Sequence, residues 1–285
     1  MIRSIAAAAA MTVLFFFRMP ANAADPVCGD VNASGTLTAS DAQAVLKAAV
    51  GQVTPLKCPA PSTPVQTGQT TSYGNGDDGD LRPGRLQAFV DSHDGTITDI
   101  NTGLVWEKKK AQSGFPWNSC NDESGICSDP HYVNNVYTWT ANASPSSDYN
   151  GTVKTIFLEQ LNSRCSGNSA IACATNADCG TTGGPCGFAG HRDWRLPTIT
   201  ELVSIIDLGV YEPALNVAFH GEACATNCTD LTSSACSCDA GGGYWSSSTV
   251  VAGPFNAWIA GTGYGGQFLG NKAGDYYARA VRTGP

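Results

Sequence analysis

"GHRDWRLPTITELVSIIDLG", residues 190–209, decides how the rest of the chain is read. His191, Arg192 and Asp193 set three ionisable groups in a row, as at the rim of an active site, but the residues after them read as scaffold. Trp194 to Leu196 is a short extended run, and Pro197 interrupts it. Thr198-Ile-Thr-Glu201 has the spacing of a capping box, in which the Thr and Glu side chains satisfy the free amides of a helix start. Leu202, Ile205 and Ile206 share one helical face, and Gly209 sits where the helix should stop. Thr198 and Glu201 are then occupied with backbone and Trp194 belongs to a core, so the stretch is a fold signature rather than chemistry.

Outward from it, "TVKTIFLEQLNS" (152–163) puts Val153, Ile156, Phe157 and Leu161 on one face of another helix. Gly95 to Asp99 and Leu104 to Lys108 alternate around an Asn-Thr-Gly turn and predict a hairpin, and Trp139 lies in a further β-type run. The last third is β: "GGGYWSSST", "FNAWIA", "YGGQFLG" and "DYYARAVR" are short runs separated by Gly-containing turns. The final run reads as one strand with Tyr277, Arg279 and Val281 on one face.

Four of these motifs in order, "GTITDINTGLVWEKK", "GHRDWRLPTITELVSIID", "YWSSS" and "YARAVR", resemble the bacterial Lcl C-terminal domain family, named after a collagen-like adhesin. The resemblance covers roughly Leu86 to Val281. It implies an α+β fold of the C-type-lectin-like and formylglycine-generating-enzyme kind, with two helices flanking a twisted antiparallel sheet, a frame that fixes no single function. The named adhesin binds sulfated glycosaminoglycans through basic surface, which this acidic chain does not offer. The calcium-dependent sugar motif of true C-type lectins also fails, because Ala214 in "EPALN" (212–216) stands where a side-chain oxygen is needed. No cysteine follows Gly241, where the oxidising enzyme relative would need its reactive pair.

The chain opens with Arg3, an apolar run from Ile5 to Phe17 and a small-x-small site at Ala21-Asn22-Ala23, which predicts a secretory signal over residues 1–24. The run is shorter than the roughly 20 residues of a membrane span. Export to the cell envelope or beyond, with no transmembrane segment in the mature chain, is expected. Removing Arg3 and Arg18 from the 16 basic residues leaves 14 against 24 acidic ones, a formal charge of −10, which disfavours nucleic acid and other polyanions as partners.

In residues 25–60, Asp30, Asn32, Ser34, Thr36 and Asp41 stand at EF-hand positions, with Gly35 for the bend, so that side-chain oxygens and the Thr36 carbonyl can surround one calcium ion. Ending on Asp rather than Glu, the segment resembles one loop-helix half of a dockerin repeat. Ser34 departs from the usual acidic or amide ligand, and no second copy follows. Residues 61–84, rich in Pro, Gly, Ser, Thr and Asp, read as a flexible linker to the main domain at 85–285.

Twelve cysteines in an exported chain predict disulfides. Cys28 and Cys58 clip the N-terminal loop-helix segment, and Cys120 with Cys127 makes a small loop. Cys165, Cys173, Cys179 and Cys186 hold a Gly-rich insertion (165–186) with no core of its own, and allow three pairings. Cys236 and Cys238 are too close to pair, so each bonds one of Cys224 and Cys228. The rival for these last four is a tetrahedral zinc site.

Catalysis has thin support. The four histidines, 93, 131, 191 and 220, have no metal-binding spacing, and Ser246 to Ser248 lack the flanking glycines of a nucleophile elbow. The reading is a secreted, non-catalytic binding or adhesion module that recognises an extracellular glycan or protein. The alternatives are an extracellular polysaccharide-acting enzyme and a purely structural envelope component. Ligand contact is expected on the β-rich surface near Trp245, Asn256, Trp258, Tyr264 and Gln267, where aromatic faces meet amides.

Overall fold

The computed structural model describes residues 64–112, 118–119, 129–142, 147–225 and 227–284. The chain divides into two units, Met1–Pro61 and Ser62–Pro285, and the second contains all described residues. The predicted signal, the calcium residues Asp30, Asn32, Ser34, Thr36 and Asp41, and Cys28, Cys58, Cys120 and Cys127 lie outside them.

The second unit is a sheet-rich α+β domain. Its strands are β1 (Phe89–Asp91), β2 (Thr96–Asp99), β3 (Leu104–Glu107), β4 (Ala111–Gln112), β5 (Asn118–Ser119), β6 (Asn135–Tyr137), β7 (Arg164–Cys165), β8 (Asn168–Ala172), β9 (Asn227–Cys228), β10 (Gly243–Thr249), β11 (Asn256–Gly261), β12 (Gly266–Asn271), β13 (Tyr276–Tyr277) and β14 (Val281–Thr283). The helices are α1 (Asp78–Leu81), α2 (Glu159–Ser163), which continues a π-helical stretch at Val153–Leu158, and α3 (Ile199–Ser204). One sheet runs β1-β2-β3-β14 and a larger one β12-β11-β10-β13-β6-β5, with β4-β9 and β7-β8 as small pairs.

Successive residues of β10 and β11 supply two cores. Trp245 and Ile259 join Tyr137, Phe157, Leu161 and Trp194, whereas Tyr244 and Ala260 join Trp106, Leu202, Ile205 and Phe219. The alternation of side chains along a strand thus buries both faces of the large sheet at this point.

The predicted hairpin forms as β2 and β3, paired antiparallel with Ile97 opposite Trp106. Its turn is organised by Asp99, whose carboxylate accepts from Asn101 N (2.8 Å), Thr102 N (3.3 Å) and Thr102 Oγ1 (2.7 Å). Gly103 then takes φ +72°, a left-handed conformation that a side chain would strain. The capping box is present in both directions: Thr198 Oγ1 accepts from Glu201 N (3.2 Å), and Glu201 Oε2 accepts from Thr198 N (2.7 Å). Val153, Phe157 and Leu161 are buried as their periodicity predicts.

Four expectations need correction. Helix α3 ends at Ser204 and does not reach Gly209, because Ile206 leaves the helix to pair with Leu215. "DYYARAVR" is not one strand: β13 belongs to the large sheet and β14 to the small one, and Ala278 to Ala280 cross between them. Trp139 lies beyond the end of β6 and packs as core.

The fourth concerns the linker, which from Pro64 onward is part of the domain. Val65 bridges to Arg85, and Leu208 N donates to Thr67 O (2.6 Å). Asp77 caps α1, accepting from Tyr73 N (2.6 Å), Gly74 N (2.9 Å) and Asp80 N (2.9 Å). A polar segment can be ordered by such side-chain-to-backbone bonds without apolar residues of its own.

Among the described residues four disulfides join Cys165 to Cys179, Cys173 to Cys186, Cys224 to Cys238 and Cys228 to Cys236. Cys236 and Cys238 each bond one of the two expected partners. Sulfurs bonded to one another present no thiolates, so the zinc alternative at these four residues is set aside.

Candidate functional site

The predicted ligand surface divides on inspection. Trp245 does not belong to it. The residue is fully buried, its indole N–H donates to Tyr137 O (2.7 Å) and its ring meets Tyr276 edge-on at 4.7 Å. A side chain held on all sides by the core has no face left for a ligand.

The other residues lie on β11, β12 and the turn between them. Asn256 is opposite Asn271, Trp258 opposite Leu269 and Ala260 opposite Gln267. Directly opposed residues of an antiparallel pair project from the same face, so Asn256, Trp258, Gln267, Leu269 and Asn271 form one stripe. Trp258 is half-buried, while Gln267, Leu269 and Asn271 are exposed. Tyr264, 74% exposed in the turn, donates its hydroxyl to Glu212 Oε1 (2.6 Å), a bond that raises the pKa of its phenol.

Strand β12 is the edge of the large sheet. Its other face carries Phe268, also exposed, whose ring lies over Gly261 and Gly266; a Cβ on either glycine would come within 2.8 Å of that ring. Sequence reasoning did not single out Phe268, Leu269 or Asn271. The available signal was the adjacent pair Phe268-Leu269: neighbours point to opposite faces, and on an edge strand both faces can be open.

The serines of "YWSSS" are engaged locally. Ser246 Oγ donates to Trp258 O (2.6 Å), Ser247 Oγ to Pro197 O (3.2 Å), and Ser248 Oγ accepts from Ile199 N (3.0 Å). They tie β10 to β11 and to the start of α3. The charged residues of the opening motif are engaged as well: Arg195 forms a two-pronged pair with Glu201 (2.8 and 2.6 Å), and Arg282 holds Asp193 (2.8 Å).

A second polar group lies inside the domain. Glu107, Lys108, Lys109 and Arg279 are all buried. Glu107 Oε1 receives Lys109 Nζ (2.9 Å) and His131 Nδ1 (2.8 Å), and Oε2 accepts from Ala280 N (3.0 Å). Burial alone would raise the carboxyl pKa; Lys109 and His131 outweigh it, and the net shift is downward. Burial pushes Lys109 down to about 8 against the pull of Glu107. Lys108 Nζ bonds Asp91 (2.7 Å) and Ser233 O (2.8 Å), and Arg279 reaches the carbonyls of Glu107 (2.9 Å) and Cys238 (2.5 Å). Each charge fastens one loop or strand to another, as buried charges must be matched to persist.

Among the described residues no helix is long and apolar enough to cross a membrane. Neither a curated protein nor a solved structure matches the chain. A model of the Lcl C-terminal domain family matches residues 95–282, from the glycine that opens the β2–β3 hairpin to Arg282 in β14. With about two thirds of its length inside that match, the chain belongs to the Lcl C-terminal domain family.

Proposed function

We propose that the protein is an exported, non-catalytic binding module of lectin-like architecture that recognises an extracellular glycan through the β11–β12 stripe. One observation carries this reading: Trp258 and Leu269, flanked by the amides of Asn256, Gln267 and Asn271, form an uncharged apolar and amide surface on an open sheet edge. Aromatic and aliphatic faces with hydrogen-bonding amides beside them are what a sugar ring requires. The four disulfides suit an oxidising destination, which the predicted signal at 1–24 would provide. In this reading the N-terminal segment binds one calcium ion through Asp30, Asn32, Ser34, the Thr36 carbonyl and Asp41, and calorimetry should show that heat lost in Asp30→Ala.

The experiment is a glycan array beside a turnover assay on the same sugars, for the wild type and for Gln267→Ala with Leu269→Ser. Binding without turnover, lost in the double variant, supports the proposal. Turnover would replace it with the polysaccharide-acting enzyme, and a protein ligand captured at the same stripe would move the specificity from sugar to peptide.

A further inference from the structure

A cavity of about 390 Å³ opens between the loop at 129–131, the end of α2 and the β7–β8 hairpin, within the size range of small-molecule sites. Arg164, His131, Gln160, Ser166, Ser169 and Phe188 line it. Its walls are firm. The backbone of Ser166 donates to Pro185 O (2.9 Å) and that of Gly167 to Gly183 O (2.9 Å), while disulfides at Cys165 and Cys173 fasten the hairpin to the rest of the insertion. His131 is fixed by its Nδ1 bond to Glu107 and by Phe188, whose ring centroid lies 4.2 Å away, so Nε2 is the nitrogen left for a ligand.

Charge in this cavity is unbalanced. Asp129, the one carboxylate among the described lining residues, is held by Lys110 and accepts from His131 N (3.0 Å). Among the described residues Arg164 has no ion-pair partner, and its Nε is shut off from solvent, so the two terminal nitrogens are the ones a ligand can meet. An occupant that supplies an acceptor at that terminal end of the guanidinium matches its charge.

We propose that this cavity is a binding site for a small hydroxylated carboxylate. The carboxylate meets Arg164 in the planar two-bond arrangement that guanidinium favours. The ligand's hydroxyls meet Ser166, Ser169 and His131 Nε2, and its carbon face lies on Phe188. The site is separate from the β11–β12 stripe and does not depend on it.

The test is calorimetric titration of the mature full-length protein with D-galacturonate, D-galactose and inorganic sulfate. Galacturonate should bind at least about tenfold more tightly than galactose, the scale of one charge-assisted pair, and more tightly than sulfate. Arg164→Gln should remove the preference over galactose, and Arg164→Lys should recover only part of it. Should Arg164→Gln fail to fold, Ser169→Ala, an exposed position, must weaken galacturonate in a protein of unchanged melting temperature. Equal binding of galactose, binding of sulfate as tight as galacturonate, loss of galacturonate binding in Gln267→Ala with Leu269→Ser, or no binding at all would each overturn the proposal.

Discussion

Strand β3 with the two lysines after it, and strand β12 at the sheet edge, reverse the usual placement of side chains in opposite directions. Glu107, Lys108 and Lys109 are at most 1% exposed, whereas Phe268 and Leu269 are 55% and 53% exposed. The interior charges all have partners: a lysine, an imidazole and a backbone amide on Glu107, a carboxylate and a carbonyl on Lys108, a carboxylate and a carbonyl on Lys109. The exposed apolar pair, by contrast, has no covering element among the described residues. Side chains that are buried and bonded answer to stability, and those that are apolar and open answer to association, so the two strands should respond differently to the same kind of substitution.

The largest effect is expected inside. Glu107→Ala leaves Lys109 and His131 facing a void and the Ala280 amide without its acceptor, and urea unfolding should show a loss of about 3–5 kcal/mol, the range for breaking a buried pair. An unchanged midpoint would break the comparison outright. The same carboxylate sets a pH response. Its folded pKa is lowered, so its contribution is present above the unfolded value of about 4.3 and is lost as pH falls toward the folded one. The acid limb of the stability curve should therefore be shallower in the variant.

Next comes the insertion. Changing Cys173 and Cys186 together to Ser should cost about 2–4 kcal/mol and free the β7–β8 hairpin to exchange its amides before the two main cores do, measurable by hydrogen exchange. A smaller loss, about 0.5–2 kcal/mol, is expected for Thr198→Ala through loss of the cap, with ligand binding intact. The smallest is at the edge: Leu269→Ser should shift stability by no more than about 0.5 kcal/mol while weakening binding to the array. If Leu269→Ser unfolds the domain and Thr198→Ala abolishes binding at normal stability, scaffold and site have been assigned the wrong way round.

Local chemistry made much of this legible. The Asn-Thr-Gly turn with Asp99 before it, the reciprocal bonds of Thr198 and Glu201, and the apolar spacing of Val153, Phe157 and Leu161 all act within a few residues, and each forms as read. The segment from Pro64 to Gly84 is not legible as part of the domain because its order comes from Asp77 and from contacts near Asp207, more than a hundred residues away, rather than from apolar content. The burial of Trp245 is hidden from the sequence for a related reason: alternation says that neighbours face opposite ways, but not that both faces of a strand are covered.

By itself the sequence determined the hairpin, the two helix starts, the family to which residues 95–282 belong and the oxidised character of the cysteine clusters, because these depend on neighbours along the chain or on motifs in fixed order. Tertiary structure alone decided that Ala278 to Ala280 cross between two sheets, which cysteines pair within 165–186, that Trp245 is interior and Leu269 exterior, and that Arg164 lines a cavity. These depend on which distant surface arrives to cover a side chain, and covering is a property of the packed whole.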